Sequence, residues 1–189
     1  MIKIESTDRV IVLGESGSGK TVLVTQLVKQ CFPSASNVLV VTPYSDEFTF
    51  IPPSQKILTV DPSVAKEAVE AALRKGNTFI VIDDADLFLG ATVKDEDLPI
   101  RYLLISSRHV NVGWLLISRR TQEMPKLAFK QATKLFFFQT DSYRDLEIIK
   151  LTFNEQDAQA VKSLDASKHE CYFVDRKTKE RKIITAKVV

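Results

Sequence analysis

The chain has 189 residues, 44% of them hydrophobic and 26% charged, with a formal net charge of +2. That mixture excludes a disordered or fibrous chain and suffices for one well-buried core, while the length falls short of two full domains. So small a net charge assigns no polyanionic partner, which only a local basic stripe can supply.

The opening stretch MIKIESTDRV carries early charges and predicts no secretory signal. No run approaches the roughly 18 apolar residues of a membrane span, so stable membrane insertion is not expected. Cys31 and Cys171 lie far apart without CxxC spacing, which predicts reduced, buried thiols rather than a zinc knuckle or disulfide framework.

The first predicted strand is VIVL (10 to 13), followed at once by GESGSGKT (14 to 21). Gly14, Gly19, Lys20 and Thr21 complete the pattern Gly-x-x-x-x-Gly-Lys-Thr, with Gly17 adding freedom inside the turn. Small residues let successive backbone N–H groups turn inward around phosphates, and the helix that follows presents its positive end. Gly14, Glu15, Ser16, Gly17, Ser18, Gly19, Lys20, Thr21 and Val22 are therefore the predicted nucleotide-binding residues. Lys20 is placed to neutralise the β and γ phosphates of ATP, and Thr21 to put its hydroxyl on Mg2+. Leu23, Val24, Leu27, Val28 and Cys31 then repeat at helical spacing until Pro33 stops the run.

Further short apolar runs, VLVV (38 to 41) and ILTV (57 to 60), predict strands buried on both faces of a parallel sheet. Between them and FIVI (79 to 82) runs a helix opened by Asp61 and Pro62 and closed at Gly76. FIVI leads straight into Asp83, Asp84 and Asp86. Asp83, at the end of a buried strand, is placed to hold Mg2+ as a Walker B aspartate does, and Asp84 to orient and deprotonate an attacking water. Asp86 is the neighbouring alternative base, set aside on position alone.

Next come an acidic loop, VKDED (93 to 97), a helix over 97 to 109, a strand VGWLLIS (112 to 118) with Trp114 as core, and a helix over 124 to 132. Gln122, just past the strand, is placed to sense the γ-phosphate if that strand lies between the two nucleotide motifs. The strand KLFFF (134 to 138), a helix over 154 to 164 and a polar-tipped antiparallel hairpin at about 170 to 187 complete the chain. The expected fold is α/β, a mostly parallel central sheet flanked by helices on both faces, in a single domain spanning 1 to 189. His109 and His169 have no metal-ligand spacing and are expected to be structural.

The segments GESGSGKT, FIVIDDAD, the RH-x-N-x-G approach to a strand, TQEMP and the short hairpin tail together resemble the FtsK/HerA superfamily of ring-forming, DNA-pumping ATPases. Within it, the similarity is to the genome-packaging ATPases of icosahedral viruses with an internal membrane. The first two segments are common to many P-loop ATPases; the third and fourth carry the resemblance. It implies an additional strand between the Walker A and Walker B strands, Gln122 as the sensor, and Arg108 as an arginine finger reaching a neighbour's nucleotide. Arg119 and Arg120 are alternative fingers, and Arg108 could instead cap its own helix. Family members often carry glutamate at the position of Asp84. The resemblance further implies an ATP-hydrolysing motor that packages double-stranded DNA into a preformed capsid. Its partners would be duplex DNA, further copies of itself in a hexameric or pentameric ring, and capsid vertex or portal proteins. Its place would be the cytoplasm of an infected host cell or the packaging vertex of the virion.

Three rivals are weaker. A small-molecule or nucleotide kinase wants an arginine-rich lid, which the sequence lacks. A remodelling ATPase of the AAA+ class wants a helical lid where this chain predicts a hairpin. A nucleotide-gated scaffold is disfavoured by the adjacent acids. For DNA, the sequence offers Lys126, Lys130 and Lys134, spaced four apart along one face of the helix over 124 to 132 and its exit, with Arg119 and Arg120 just ahead of them, and the hairpin run RKTKERK (176 to 182).

Overall fold

The computed structural model describes residues 2–90 and 97–186. In chain order the elements are β1 (Arg9–Leu13), α1 (Lys20–Cys31), β2 (Val38–Thr42), β3 (Lys56–Leu58), α2 (Pro62–Lys75), β4 (Phe79–Ile82), α3 (Ala85–Leu89) and α4 (Leu98–Ser106). There follow β5 (Gly113–Ser118), α5 (Lys126–Gln131), β6 (Lys134–Phe138), α6 (Tyr143–Thr152), α7 (Glu155–Lys162), β7 (Glu170–Asp175) and β8 (Arg181–Thr185). The strands form an eight-stranded sheet in the order β3-β2-β4-β5-β1-β6-β7-β8. The first six are parallel, and β7 and β8 add an antiparallel hairpin. β5 thus stands between β1 and β4, with Ser118 beside Leu13 and Leu116 beside Ile82.

Strand side chains alternate faithfully between two cores. Val10, Val12, Phe79, Val81, Leu115 and Ile117 face α1, while Ile11, Leu13, Ile80, Ile82, Trp114 and Leu116 face the side covered by the remaining helices. Because both faces are covered, the central strands tolerate no polar side chain in their middles, which is why they read as unbroken apolar runs. Trp114 is fully buried and donates its indole N–H to the Leu103 carbonyl at 3.1 Å.

α2 has the limits expected of it. Asp61 accepts from the Ser63 N–H at its start, and Gly76, at φ 69°, ends it. The third apolar run is shorter than expected: β3 stops at Leu58, and Leu58 and Val60 are exposed. An edge strand has one neighbour only, so its apolar residues need not all be covered. The helix over 97 to 109 divides into α4 and a 3-10 turn, Ser107–Val110. Two helices, α3 and α6, have no counterpart in the sequence reading. α6 fully buries only Asp145 and Ile149; its apolar face is the narrow row Leu146, Ile149 and the C-cap Phe153, blurred in the sequence by the exposed Tyr143 and Leu151. Cys171 is buried, Cys31 is half-buried, and both are free thiols. Among the described residues no helix is long and apolar enough to cross a membrane.

Candidate nucleotide site

The turn after β1 lies at the carboxyl-terminal edge of the sheet, where β5 and β6 flank it. Gly14 takes an N–H bond to the Ser118 carbonyl, and a Cβ on it would stand 2.5 Å from Phe138 Cβ, so only glycine fits. Gly19 adopts φ 101°, a left-handed conformation, to point the chain into α1. α1 begins with no side-chain cap and no acid in its first turn, which leaves its leading N–H groups and its positive end for an anion. Lys20, although 9% exposed, folds its ammonium back onto the turn, donating to the Gly14 carbonyl at 2.7 Å and the Glu15 carbonyl at 2.9 Å. Burial pulls its pKa below the ordinary value against the opposing charges of Asp84 and Asp83. The Ser18 hydroxyl is buried without a partner. A cavity of about 300 Å3 opens over this turn, lined by Gly17, Gly19, Lys20, Thr21, Glu47 and His169.

Asp83, the residue after β4, is 3% exposed and accepts from the Thr42 hydroxyl at 3.1 Å. Burial, then the facing Glu47 and the adjacent Asp84, push its carboxyl up to about 8. Asp84 sits at φ 45°, a left-handed conformation for a residue with a side chain, and accepts from the Tyr44 hydroxyl at 2.7 Å. That bond first, and then burial, raise the Tyr44 phenol to about 12. Asp86 is committed elsewhere: it accepts from Ser118 at 3.0 Å and from Arg119 at 3.3 Å.

Beyond β5 the chain stays near the turn. Arg119, Arg120 and Glu123, with Glu15 and Ser16, line a depression of about 330 Å3. Arg120 lies 3.9 Å from Glu15 and 4.0 Å from Asp145. Gln122 is exposed on the 3-10 turn Thr121–Glu123, and α5 follows from an N-cap at Pro125 with no side chain capping it. Arg108 is far from all of this. It precedes β5 and is exposed at the amino-terminal edge of the sheet, where its charge acts on Arg9 at the start of β1. A strand of six residues separates it from the phosphate turn, about 17 Å of rise.

Three residues at the site have no motif to announce them. Glu47, from the loop after β2, accepts from the Thr21 hydroxyl at 3.3 Å. Tyr44 comes from the same loop. His169, expected to be structural, touches the phosphate turn: its Nδ1 is 3.1 Å from the Ser18 carbonyl, brought there by the open end of the β7-β8 hairpin. Only spatial closure over 26 residues for Glu47 and 151 for His169 reveals them.

The basic residues considered for DNA divide sharply. Lys126 and Lys130 are exposed. Lys134 is buried and pairs with Asp8 at 2.8 Å and Asp175 at 3.3 Å, so it cannot share an outer face with them. In the hairpin run, Arg176 donates to the Phe129 and Ala132 carbonyls, Lys177 pairs with Asp8, Arg181 with Asp157 and Lys182 with Glu180. Of the acidic loop at 93 to 97, only Asp97 is among the described residues; it pairs with Lys66. No cluster of three or more His, Cys, Asp or Glu arranged for a metal occurs among the described residues.

No protein-family model and no curated protein sequence matches the chain. Solved structures do. The genome-packaging NTPase B204 of Sulfolobus turreted icosahedral virus 2, in complex with sulfate, superposes with a TM-score of 0.79 at 20% identity, covering 98% of this chain and 99% of that one. The fold is that of a P-loop NTPase. The same viral protein in complex with ATP-gammaS gives a TM-score of 0.76 at 19% identity, over 98% of this chain and 100% of that one. The cytoplasmic domain of the type VII secretion ATPase EccC from Thermomonospora curvata gives 0.63 at 15% identity, over 97% of this chain but 24% of its own. The additional strand between the β1 and β4 motifs, the mostly parallel sheet and the terminal hairpin all belong to this P-loop NTPase architecture.

Proposed function

We propose that the chain is the subunit of an ATP-hydrolysing motor that moves double-stranded DNA, packaging a viral genome into a preformed capsid. The observation that supports the reading is the strand order, which brings the ends of β1, β4 and β5 together at one edge of the sheet, with Lys20 close enough to Asp83 and Asp84 to feel their charge, in a fold that matches a viral packaging NTPase over its whole length.

The phosphate turn, Gly14 to Val22, binds the triphosphate through its backbone N–H groups. Lys20 exchanges its two carbonyl partners for the β and γ phosphates, which restores a full partner to a buried cation. Thr21 and Asp83 would supply the hard oxygen donors that Mg2+ takes, and an ion held there would offset charge on the phosphoryl oxygens. The donors fit: a buried carboxylate and a hydroxyl stand together with an unpartnered buried oxygen, Glu47 Oε2, beside them. Asp84, free of the contacts that occupy Asp86, takes the proton of a water as its oxygen bonds to the γ-phosphorus and the bond to the β-phosphate oxygen breaks. Gln122 reports the state of the γ-phosphate to the chain beyond β5.

Arg108 acts on a neighbour. Standing a strand length from its own phosphate turn, it can lend its charge only to a nucleotide held by another copy, which ties turnover to a ring of hexameric or pentameric type. Duplex DNA is the substrate moved, with capsid vertex or portal proteins as further partners, in the infected host cell or at the packaging vertex.

Turnover measured with and without duplex DNA over a range of protein concentrations tests this. Stimulation by DNA and a steep rise with concentration are expected. Arg108→Ala is expected to abolish turnover and spare nucleotide binding. A rate independent of both DNA and concentration leaves an ordinary triphosphatase and ends the motor reading.

A further inference from the structure

The loop between β2 and β3 brings a carboxylate to the site that neither nucleotide motif contains. Glu47 Oε1 accepts from the Thr21 hydroxyl at 3.3 Å, and the side chain also faces Asp83. Its other oxygen, Oε2, is buried and has no hydrogen-bond partner. The loop is built to keep it there. Lys56 donates to the carbonyls of Ser45 and Glu47, both at 2.9 Å. The next residue, Phe48, is 3% exposed and packs in the core beneath α1.

Ionised carboxylates only accept hydrogen bonds and repel one another, so Asp83 and Glu47 can both carry charge side by side only if a positive centre joins them. Two acceptors and a hydroxyl turned toward one another in a secluded spot lack a positive centre. Lys20 does not fill that role, because its ammonium is turned onto the Gly14 and Glu15 carbonyls. A hard divalent cation does, since its ligands are carboxylate, hydroxyl, phosphate and water oxygens.

We propose that Glu47 is a further carboxylate of the cation site, acting with Thr21 and Asp83 on the divalent ion that accompanies the nucleotide. The inference rests on the nucleotide reading of the phosphate turn. When no cation is bound, Glu47 holds the Thr21 hydroxyl through Oε1; on binding, its unpartnered oxygen gains the positive charge it lacks. Two carboxylates hold the ion more firmly than one, so cation affinity depends less on the phosphates alone.

Mn2+ is the probe, titrated by electron paramagnetic resonance into the full chain with ADP present, beside ADP binding measured in EDTA. Glu47→Gln keeps the oxygen that accepts from Thr21 and removes the charge. It is expected to weaken Mn2+ binding about 10- to 100-fold, the range that loss of a supporting group around a metal produces, while ADP binding in EDTA is unchanged. Glu47→Asp retains the charge on a shorter arm and is expected to fall between the two; it also serves if the Gln variant does not fold. Folded Glu47→Gln that binds Mn2+ as the unaltered protein does overturns this inference alone. Unaltered protein that binds no ADP, with or without Mn2+, overturns the nucleotide reading and this inference with it.

Discussion

The two edges of the sheet each bury an aspartate, and they treat it in opposite ways. At the amino-terminal edge Asp8, fully buried, accepts from the Glu5 N–H at 2.9 Å, Thr133 at 3.1 Å, Lys134 at 2.8 Å and Lys177 at 2.7 Å. Burial pushes its carboxyl up, but these donors outweigh that and hold it below its ordinary value. At the carboxyl-terminal edge Asp83 has the Thr42 hydroxyl and the N–H of Asp84, with two further carboxylates nearby, and its pKa is pushed up to about 8. One edge is a finished ionic clasp that ties the start of β1 to β6 and to the hairpin tip. The other is left incomplete, which suits the cation site proposed there, since a carboxylate already satisfied by lysines has nothing to offer a cation.

The largest way to test this contrast is to remove the clasp. Asp8→Ala strands Lys134 beside Asp175 alone and leaves Lys177 only the exposed Glu5, and is expected to cost about 3 kcal/mol in urea unfolding, the low end for a broken buried pair. Nucleotide affinity of the folded variant should be unchanged. Asp83→Asn should do the reverse. Turnover is expected to fall on the order of a hundredfold or more, while stability of the nucleotide-free protein holds or rises, because an uncompensated buried acid has been removed. A large stability loss in Asp83→Asn would mean that the second edge is as structural as the first.

The pH dependence of stability separates the edges with smaller changes. Asp83, at about 8 when folded, keeps its proton over a range in which the unfolded chain has released it. The folded state then binds more protons, so this residue's contribution falls as pH rises from about 4 toward 8. Asp8, lowered in the folded state, contributes stability that is present above about pH 4 and lost as pH falls through its folded value. Urea midpoints measured across pH should therefore lose their decline near neutrality in Asp83→Asn and their acid limb in Asp8→Asn.

Legibility in the sequence follows the same division between local and long-range causes. The strand–turn–helix join at Gly14 to Thr21, the place of Asp83 just after β4, and α2 are legible because each is a local matter of glycine freedom, an apolar run ending in an acid, or a cap and a stop. Lys134 starts β6, as the run KLFFF predicts, but it does not share a face with Lys126 and Lys130, because spacing of four defines a face only inside one helix and α5 ends at Gln131; it pairs with Asp8 instead. Glu47, Tyr44 and His169 were invisible for a related reason. The loop after β2 and the turn before β7 have no periodicity, and what brings them to the phosphate turn is the order of strands in the sheet.

Tyr44→Phe is the finest test of how much the carboxyl-terminal edge depends on that loop. The phenol is 43% exposed and donates to Asp84 at 2.7 Å, which orients the carboxylate proposed to take the water's proton. Losing one partly exposed bond to a charged group should cost fold stability less than about 1.5 kcal/mol, since water can replace the donor. Turnover reports on orientation instead, because the lost donor leaves one side of the carboxylate unheld. Because Asp84 sits at a left-handed φ that fixes its backbone already, the rate is expected to fall less than severalfold, and a larger fall would show that the Tyr44 bond, not the backbone, aims the base.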